Sequence, residues 1–425
     1  MRIGIQCRVL RLLMKFRSRL LAVLLSGILF WPKAVHTQGS GQAFTCDNGE
    51  GDYSTRFFNG ISVLVGPVRT GSFADRACTA KLAWSGQEIS VVSDAAQVGI
   101  DVLGADLGFG KPVVAFQIDQ TGSGSNRTYQ IYSLARPPRL LYSMTGADSY
   151  RAADTDLDGR IEIWTDDAAA VDGFERIPSV DLDFAPTVVF RFEKGRLVDV
   201  GPEFLSYYDA QIAKLRVQVS EHDRAEFKQS DGQLSATLRA SGEDLHRLVR
   251  TKISVLEIVW GYLYSGRERE AWSALEEMWP PRDMERIRAA IAAEHRRGLL
   301  RNLGHPGWPA RRGHRVKIYD AVSTTTIAGY NPLGPPDSSQ FEPPLIQPKF
   351  ILLRRPPPSP DESFPSANET IELVVDAAGK VHSAKVINGT DDPLVEASAG
   401  WQFIPAFRDG SPVACRFRLD VRALK

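Results

Sequence analysis

The stretch Gly400–Leu419, GWQFIPAFRDGSPVACRFRL, gathers large apolar residues around an Asp-Gly pair and then closes on an alternating strand. Asp409-Gly410 is a dipeptide that favours a tight turn. From Cys415 onward, Cys415, Phe417, Leu419 and Val421 share one face, while Arg416, Arg418, Asp420 and Arg422 share the other, the period of a strand with one buried side. Just upstream, TIELVVDAAGKVHSAKVI (370–387) reads as two strands around an Ala-Ala-Gly turn, and DPLVEASAGW (392–401) as a short helix. Sixty residues make a marginal core, so a few bulky groups must carry it. Trp401 and Phe403 are expected to anchor the helix on the sheet, Pro405 to end that helix, and Gly410 to permit the turn. The segment 364–425 is therefore expected to fold by itself as a small α+β unit. Its bare strand edge would offer unpaired N–H and C=O groups to an extended peptide.

Moving outward from this unit, residues 303–363 are rich in Pro and Gly (NPLGPPDSSQFEPPLIQP, RRPPPSPDESFPS) and read as a semi-extended linker. Residues 205–302 carry helical spacing. Leu245, Val249, Ile253, Leu256, Trp260 and Leu263 mark one face, with Ser241 and Asp244 at its start and Ser265-Gly266 at its end. A second helix carries Trp272, Leu275 and Met278 up to Pro280-Pro281, and a third runs from Asp283 to Gly298. The spacing around Ala271 is similar to that of tetratricopeptide helix pairs, but one pair cannot form a solenoid, so a local bundle with Trp260, Trp272 and Trp279 in its core is expected. Residues 40–204 hold short apolar runs such as PVVAFQID (112–119), TYQIYSL (128–134) and RLLYSM (139–144), with a hairpin turning at Lys194-Gly195. The chain reads as multidomain α+β: an N-terminal mainly-β domain, a central α-helical segment and a small C-terminal α+β unit.

Residues 1–37 hold seven Lys/Arg and no acid, and include a twelve-residue, mainly apolar stretch from Leu20 to Trp31. That run suits an export signal and falls short of the ~20 residues a spanning helix needs. A cleaved signal peptide is the expectation, with an uncleaved inner-membrane anchor as the alternative. The other residues hold 44 Lys/Arg against 51 Asp/Glu, near −7, which invites no nucleic acid. Export to an oxidising compartment pairs Cys46 with Cys78 and leaves Cys415 as a small buried apolar residue.

The sharpest local motif is ADTDLDGRIEIW (153–164). Asp154, Asp156 and Asp158 alternate ahead of Gly159, with Arg160 able to offer its carbonyl and Glu162 beyond. Such spacing aims several oxygens into a tight loop, as a hard cation such as Ca2+ requires. The alternative is an acidic turn held by Asp side-chain bonds to its own backbone, and both readings stay open at this point. An EF-hand is excluded by Thr165 at its twelfth position and by the strand patterning on both sides. The segment resembles the calcium loop of integrin-type (FG-GAP) β repeats, and ADLGFGKPVV (105–114) looks like a degenerate copy. GADLGFGK (104–111) is no phosphate loop, because its glycine spacing is wrong and Pro112 stands where Ser or Thr belongs. The seven His form no metal-protease motif, and there is no G-x-S-x-G elbow or Cys-x-x-Cys pair.

Residues 364–425 resemble the C-terminal domain of TonB-type energy transducers. The likeness rests on Asp376, Gly379 and Val381 in the hairpin, then Trp401, Phe403, Pro405, Ala406, Gly410, Pro412 and Val413. It implies docking of a protein partner by strand addition, the usual partner being a segment of an outer-membrane transporter. The cleavable leader, the large intervening domains and the short Pro-rich stretch depart from a transducer. The expected function is that of an exported periplasmic or secreted, non-catalytic interaction protein with a partner in the cell envelope. The alternatives are an anchored energy transducer for outer-membrane transport and a secreted envelope-polymer hydrolase using acids of the 154–167 loop.

Overall fold

The computed structural model describes residues 44–57, 59–68, 77–120, 122, 127–176, 184–234, 242–303, 319–329, 348–352, 369–388 and 392–423. The signal-peptide reading of residues 1–37 lies outside them. Among the described residues no helix is long and apolar enough to cross a membrane.

Strand β1 (Thr45–Asp47) is followed by three antiparallel meanders. The first is β2 (Tyr53–Arg56), β3 (Ile61–Pro67), β4 (Cys78–Trp84) and β5 (Gln87–Ala95). The second is β6 (Gln97–Leu103), β7 (Val113–Asp119), β8 (Arg127–Ser133) and β9 (Leu140–Ala147), with β1 added beside β6. The third is β10 (Tyr150–Ala153), β11 (Glu162–Asp166), β12 (Thr187–Glu193) and β13 (Arg196–Asp199). Sequence neighbours pair antiparallel throughout each meander. Ile61, Val63 and Val65 bury one face of β3, whereas β7 is buried on both faces, which is why it reads as an almost unbroken apolar run. Lys194 and Gly195 take φ of 51° and 77°, the left-handed pair that a two-residue hairpin demands. The Cys46–Cys78 disulfide ties β1 to β4 and marks an oxidising, extracytoplasmic environment.

The helical segment follows the short α1 (Ala168–Val171) and comprises α2 (Leu205–Gln218), α3 (Glu221–Gln229), α4 (Gly242–Tyr264), α5 (Glu268–Met278) and α6 (Met284–Arg297). Helix α4 buries Leu248, Leu256, Val259, Trp260 and Leu263 along one stripe, and Ala271 is fully buried in the adjoining α5. Trp260 and Trp279 are core residues, as expected. Trp272 is only partly buried, with the Arg288 guanidinium 4.9 Å from its ring. The bundle is fastened to the β scaffold by Tyr264, whose hydroxyl donates to Asp167 at 2.6 Å, and by Tyr208, whose hydroxyl donates to the Thr187 carbonyl at 2.9 Å.

Two segments read as linker are strands instead: β14 (Tyr319–Gly329) and β15 (Lys349–Leu352). They belong with β16 (Glu369–Val375), β17 (Val381–Asn388), α7 (Asp392–Ser398), β18 (Gln402–Ile404), β19 (Ala406–Arg408), β20 (Ser411–Val413) and β21 (Cys415–Ala423). The C-terminal sheet has the order β14-β21-β16-β17. The last strand of the chain is thus interior, with the chain's own β14 on one side and β16 on the other. The Thr-, Val- and Ile-bearing run YDAVSTTTIAG has strand-forming chemistry, which the Pro and Gly around it hid in the composition. Pro405 does not end the helix, which stops at Ser398; it separates β18 from β19.

The expected tether is also corrected. Gly41–Lys425 forms one compact unit. The ring of Phe407, 1% exposed, meets those of Phe44 at 5.3 Å and Tyr53 at 5.7 Å edge-on, and the Ser54 N–H donates to the Gly410 carbonyl at 2.8 Å. Ile351, Ile404 and Phe407 pack in the scaffold core, while Ala153 and Leu157 of the scaffold pack in the C-terminal core. The Asp409-Gly410 turn meets the scaffold through Gly410 and leaves Asp409 exposed.

Candidate metal centre

The acidic loop connects the first two strands of the third meander, leaving β10 at Ala153 and entering β11 at Glu162. Its shape comes from its own carboxylates. Asp154 accepts from the N–H groups of Asp158 at 3.1 Å and Gly159 at 3.0 Å, and Asp156 accepts from Asp158 at 3.2 Å. Leu157 at φ 63° and Gly159 at φ 84° make the reversal, and Leu157 plugs the loop into the C-terminal core. The reading of an acidic turn bonded to its own backbone therefore describes part of what is there.

The other part is a convergence of charge. Ligand oxygens of Asp154, Asp156 and Glu162 lie within 4.8 Å of one another. Asp154 and Glu162 are buried, at 1% and 0% exposure. Glu162 accepts from the Thr155 N–H at 3.1 Å and stands 3.3 Å from Arg191, whose guanidinium also reaches Glu203 at 2.9 Å. Burial, then the neighbouring acids Glu162, Asp156 and Asp158, push the Asp154 carboxyl up to about 9. Burial and Asp156 push Glu162 up to about 8, and burial and Asp158 push Asp156 up to about 6. Arg191 offsets part of the charge at Glu162, and burial favours the protonated forms of the acids beside it. A hard cation supplies the same neutralisation better, because it takes several oxygens at once. The buried triad of Asp154, Asp156 and Glu162 could hold a metal.

One of the five expected ligands, Asp158, lies outside the converging triad. Asp158 is exposed and ion-paired with Arg160. Arg160, expected to offer its carbonyl, donates to Asp158 from its N–H at 2.8 Å and from Nε at 2.6 Å. Sequence reading missed Arg191 and Glu203, although a charged residue inside the apolar run TVVFRFE (187–193) was a signal that a buried partner must exist.

The loop between β6 and β7 occupies the equivalent place in the second meander. There Asp106 alone accepts from the N–H groups of Gly108, Phe109 and Gly110, at 2.9, 2.8 and 3.0 Å. No metal-like acidic cluster forms there among the described residues.

The C-terminal motif residues are structural. Asp376 accepts from the Ala378 and Lys380 N–H groups, both at 2.8 Å, and shapes the β16–β17 turn, beyond which Val381 opens β17. Gly379, at φ 81°, lies so close to the Phe403 carbonyl that a Cβ would stand 1.9 Å from it. Trp401, Phe403 and Ala406 fill the core, with Phe403 edge-on to Phe417 at 5.5 Å. Pro412 and Val413 lie in β20, facing Phe407 and Ala406 of β19 across the Gly410 turn. No family model, curated protein or solved structure matches this chain.

Proposed function

We propose that this chain is an exported, non-catalytic interaction protein of the cell envelope. A calcium-loaded β scaffold carries a C-terminal sheet, and the free edge of that sheet takes up an extended segment of a protein partner. Calcium at Asp154, Asp156 and Glu162 is structural in this reading: it neutralises the triad and fixes the loop on which the C-terminal core rests. The observation that carries the docking role is the state of β17. Among the described residues it is paired only with β16, and His382, Ser383, Lys385, Ile387 and Asn388 along it are exposed. An edge of this kind presents unpaired main-chain groups to a strand of another polypeptide. The likeness to TonB C-terminal domains supports strand addition as the mode, with an outer-membrane transporter segment as the kind of partner. The accepting edge in this reading is β17. Energy transduction is less well supported, because the C-terminal sheet is packed against the scaffold rather than carried on a rod.

The test is site-specific photo-crosslinking in the host envelope. A photoreactive residue at His382 or Ile387 is expected to trap one envelope protein through a continuous peptide of it. The same probe at exposed Val217 serves as the control. Equal, diffuse products from all three positions would remove the basis for docking at β17.

A further inference from the structure

Strand β15 is four residues long and is received on every side by groups from two different bodies. Its backbone pairs antiparallel with β18, Lys349 opposite Ile404 and Phe350 opposite Phe403. On its other side the Asp154 N–H donates to the Ile351 carbonyl at 3.0 Å. Successive side chains of a strand point to opposite faces. Phe350 accordingly enters the C-terminal core, and Ile351 enters the scaffold core. Lys349 reaches into the scaffold, where its Nζ stands 2.5 Å from Asp101 Oδ1. Asp101 is 1% exposed and is held in place by the Tyr129 hydroxyl at 2.7 Å and the Ala152 N–H at 2.8 Å, both on Oδ2.

The sequence leaves 19 residues between β14 and β15 and 16 between β15 and β16. Sixteen extended residues can span at most about 50 Å, so chain length alone does not prevent exchange of β15. A segment joined to its site by so few residues competes at a local concentration on the order of millimolar. We infer that the groove between β10 and β18 is a peptide-binding site, filled in cis by residues 349–352, whose ligand is an extended segment with a basic residue followed by two large apolar ones. Asp101 reads the cation, and the two cores read the alternating side chains. β18 and the Asp154 N–H bind the backbone. A partner segment of the same pattern enters by exchange with the resident strand, a route independent of docking at β17.

The experiment uses the full chain with protease sites built into residues 335–345 and 355–365, cut after folding with the disulfide intact. A fluorescent peptide of residues 347–354, QPKFILLR, is then followed by polarisation. The excised segment is expected to exchange with the peptide, which binds the nicked chain saturably and the uncut chain at the same concentration not at all. Placing Lys349→Glu in the peptide should abolish binding, and Asp101→Asn in the nicked chain should weaken it by about tenfold or more, as loss of a charge-assisted bond predicts. Lys349→Gln in the peptide repeats that test with the protein unaltered. The proposal is overturned if the excised segment never exchanges. It is equally overturned if the nicked chain unfolds on losing the segment, or if a scrambled peptide binds as well.

Discussion

At the scale of single residues, the acidic loop holds more negative charge than its surroundings compensate. Asp156→Asn removes one of the repelling carboxylates. It is expected to leave the calcium-free protein as stable or more stable, and to abolish the rise in Tm that calcium gives the unmodified chain. Thermal unfolding with calcium and with a chelator measures both. Calcium at 100 times its Kd should stabilise the unmodified chain by about 2.7 kcal/mol. The pH dependence follows from the same groups. Asp154, Glu162 and Asp156 are pushed up to about 9, 8 and 6, each above an unfolded value near 4. Their contribution to stability is therefore fully present below the unfolded value and is lost progressively as pH rises from about 4 through the folded values. The calcium-free protein should lose stability across that window, and the calcium-induced gain should widen across it. A calcium effect that stays constant with pH would contradict the assignment.

Elements and their junctions decide what the C-terminal motif is for. Gly410 sits at φ 73° with the Asp52 carbonyl 2.2 Å from where a Cβ would be. The glycine that a hairpin turn wants is also the glycine that the scaffold contact requires. Phe407 fills the space between Phe44 and Tyr53, so Phe407→Ala should cost about 3–5 kcal/mol, the usual penalty for emptying a buried aromatic site. Chemical denaturation of the full chain reads that loss. If the C-terminal sheet were a free module, the same substitution would leave unfolding of the scaffold unchanged.

For the whole molecule, the C-terminal sheet and the scaffold complete one another. A fragment of residues 364–425 lacks β14, β15 and the surface that covers Phe407. It is expected to show no cooperative unfolding transition, whereas a chain beginning at Gly41 unfolds with its C-terminal sheet and scaffold together. Circular dichroism on the two constructions of the chain distinguishes these outcomes. The Cys46–Cys78 bond closes a loop across 32 positions between the first two sheets. Replacing both cysteines by alanine should cost about 3–4 kcal/mol by the chain-entropy estimate.

The sequence by itself determined the local elements, because their signals are periodic and short-range. The strands at 113–119, 127–133 and 140–147, the Lys194-Gly195 hairpin, the three long helices and the buried face of β21 could all be read from spacing. The acidic motif was equally visible, since alternating Asp ahead of Gly is a local pattern. Only the tertiary structure decided which oxygens converge. Asp158 turns to Arg160, and Glu162 meets Arg191 from a strand 29 positions away, a distance in sequence that no window spans. The same holds for the strands inside the Pro/Gly-rich stretch. β14 and β15 exist because β21 and β18 offer them partners, and strand pairing is a contact between distant segments rather than a property of either one.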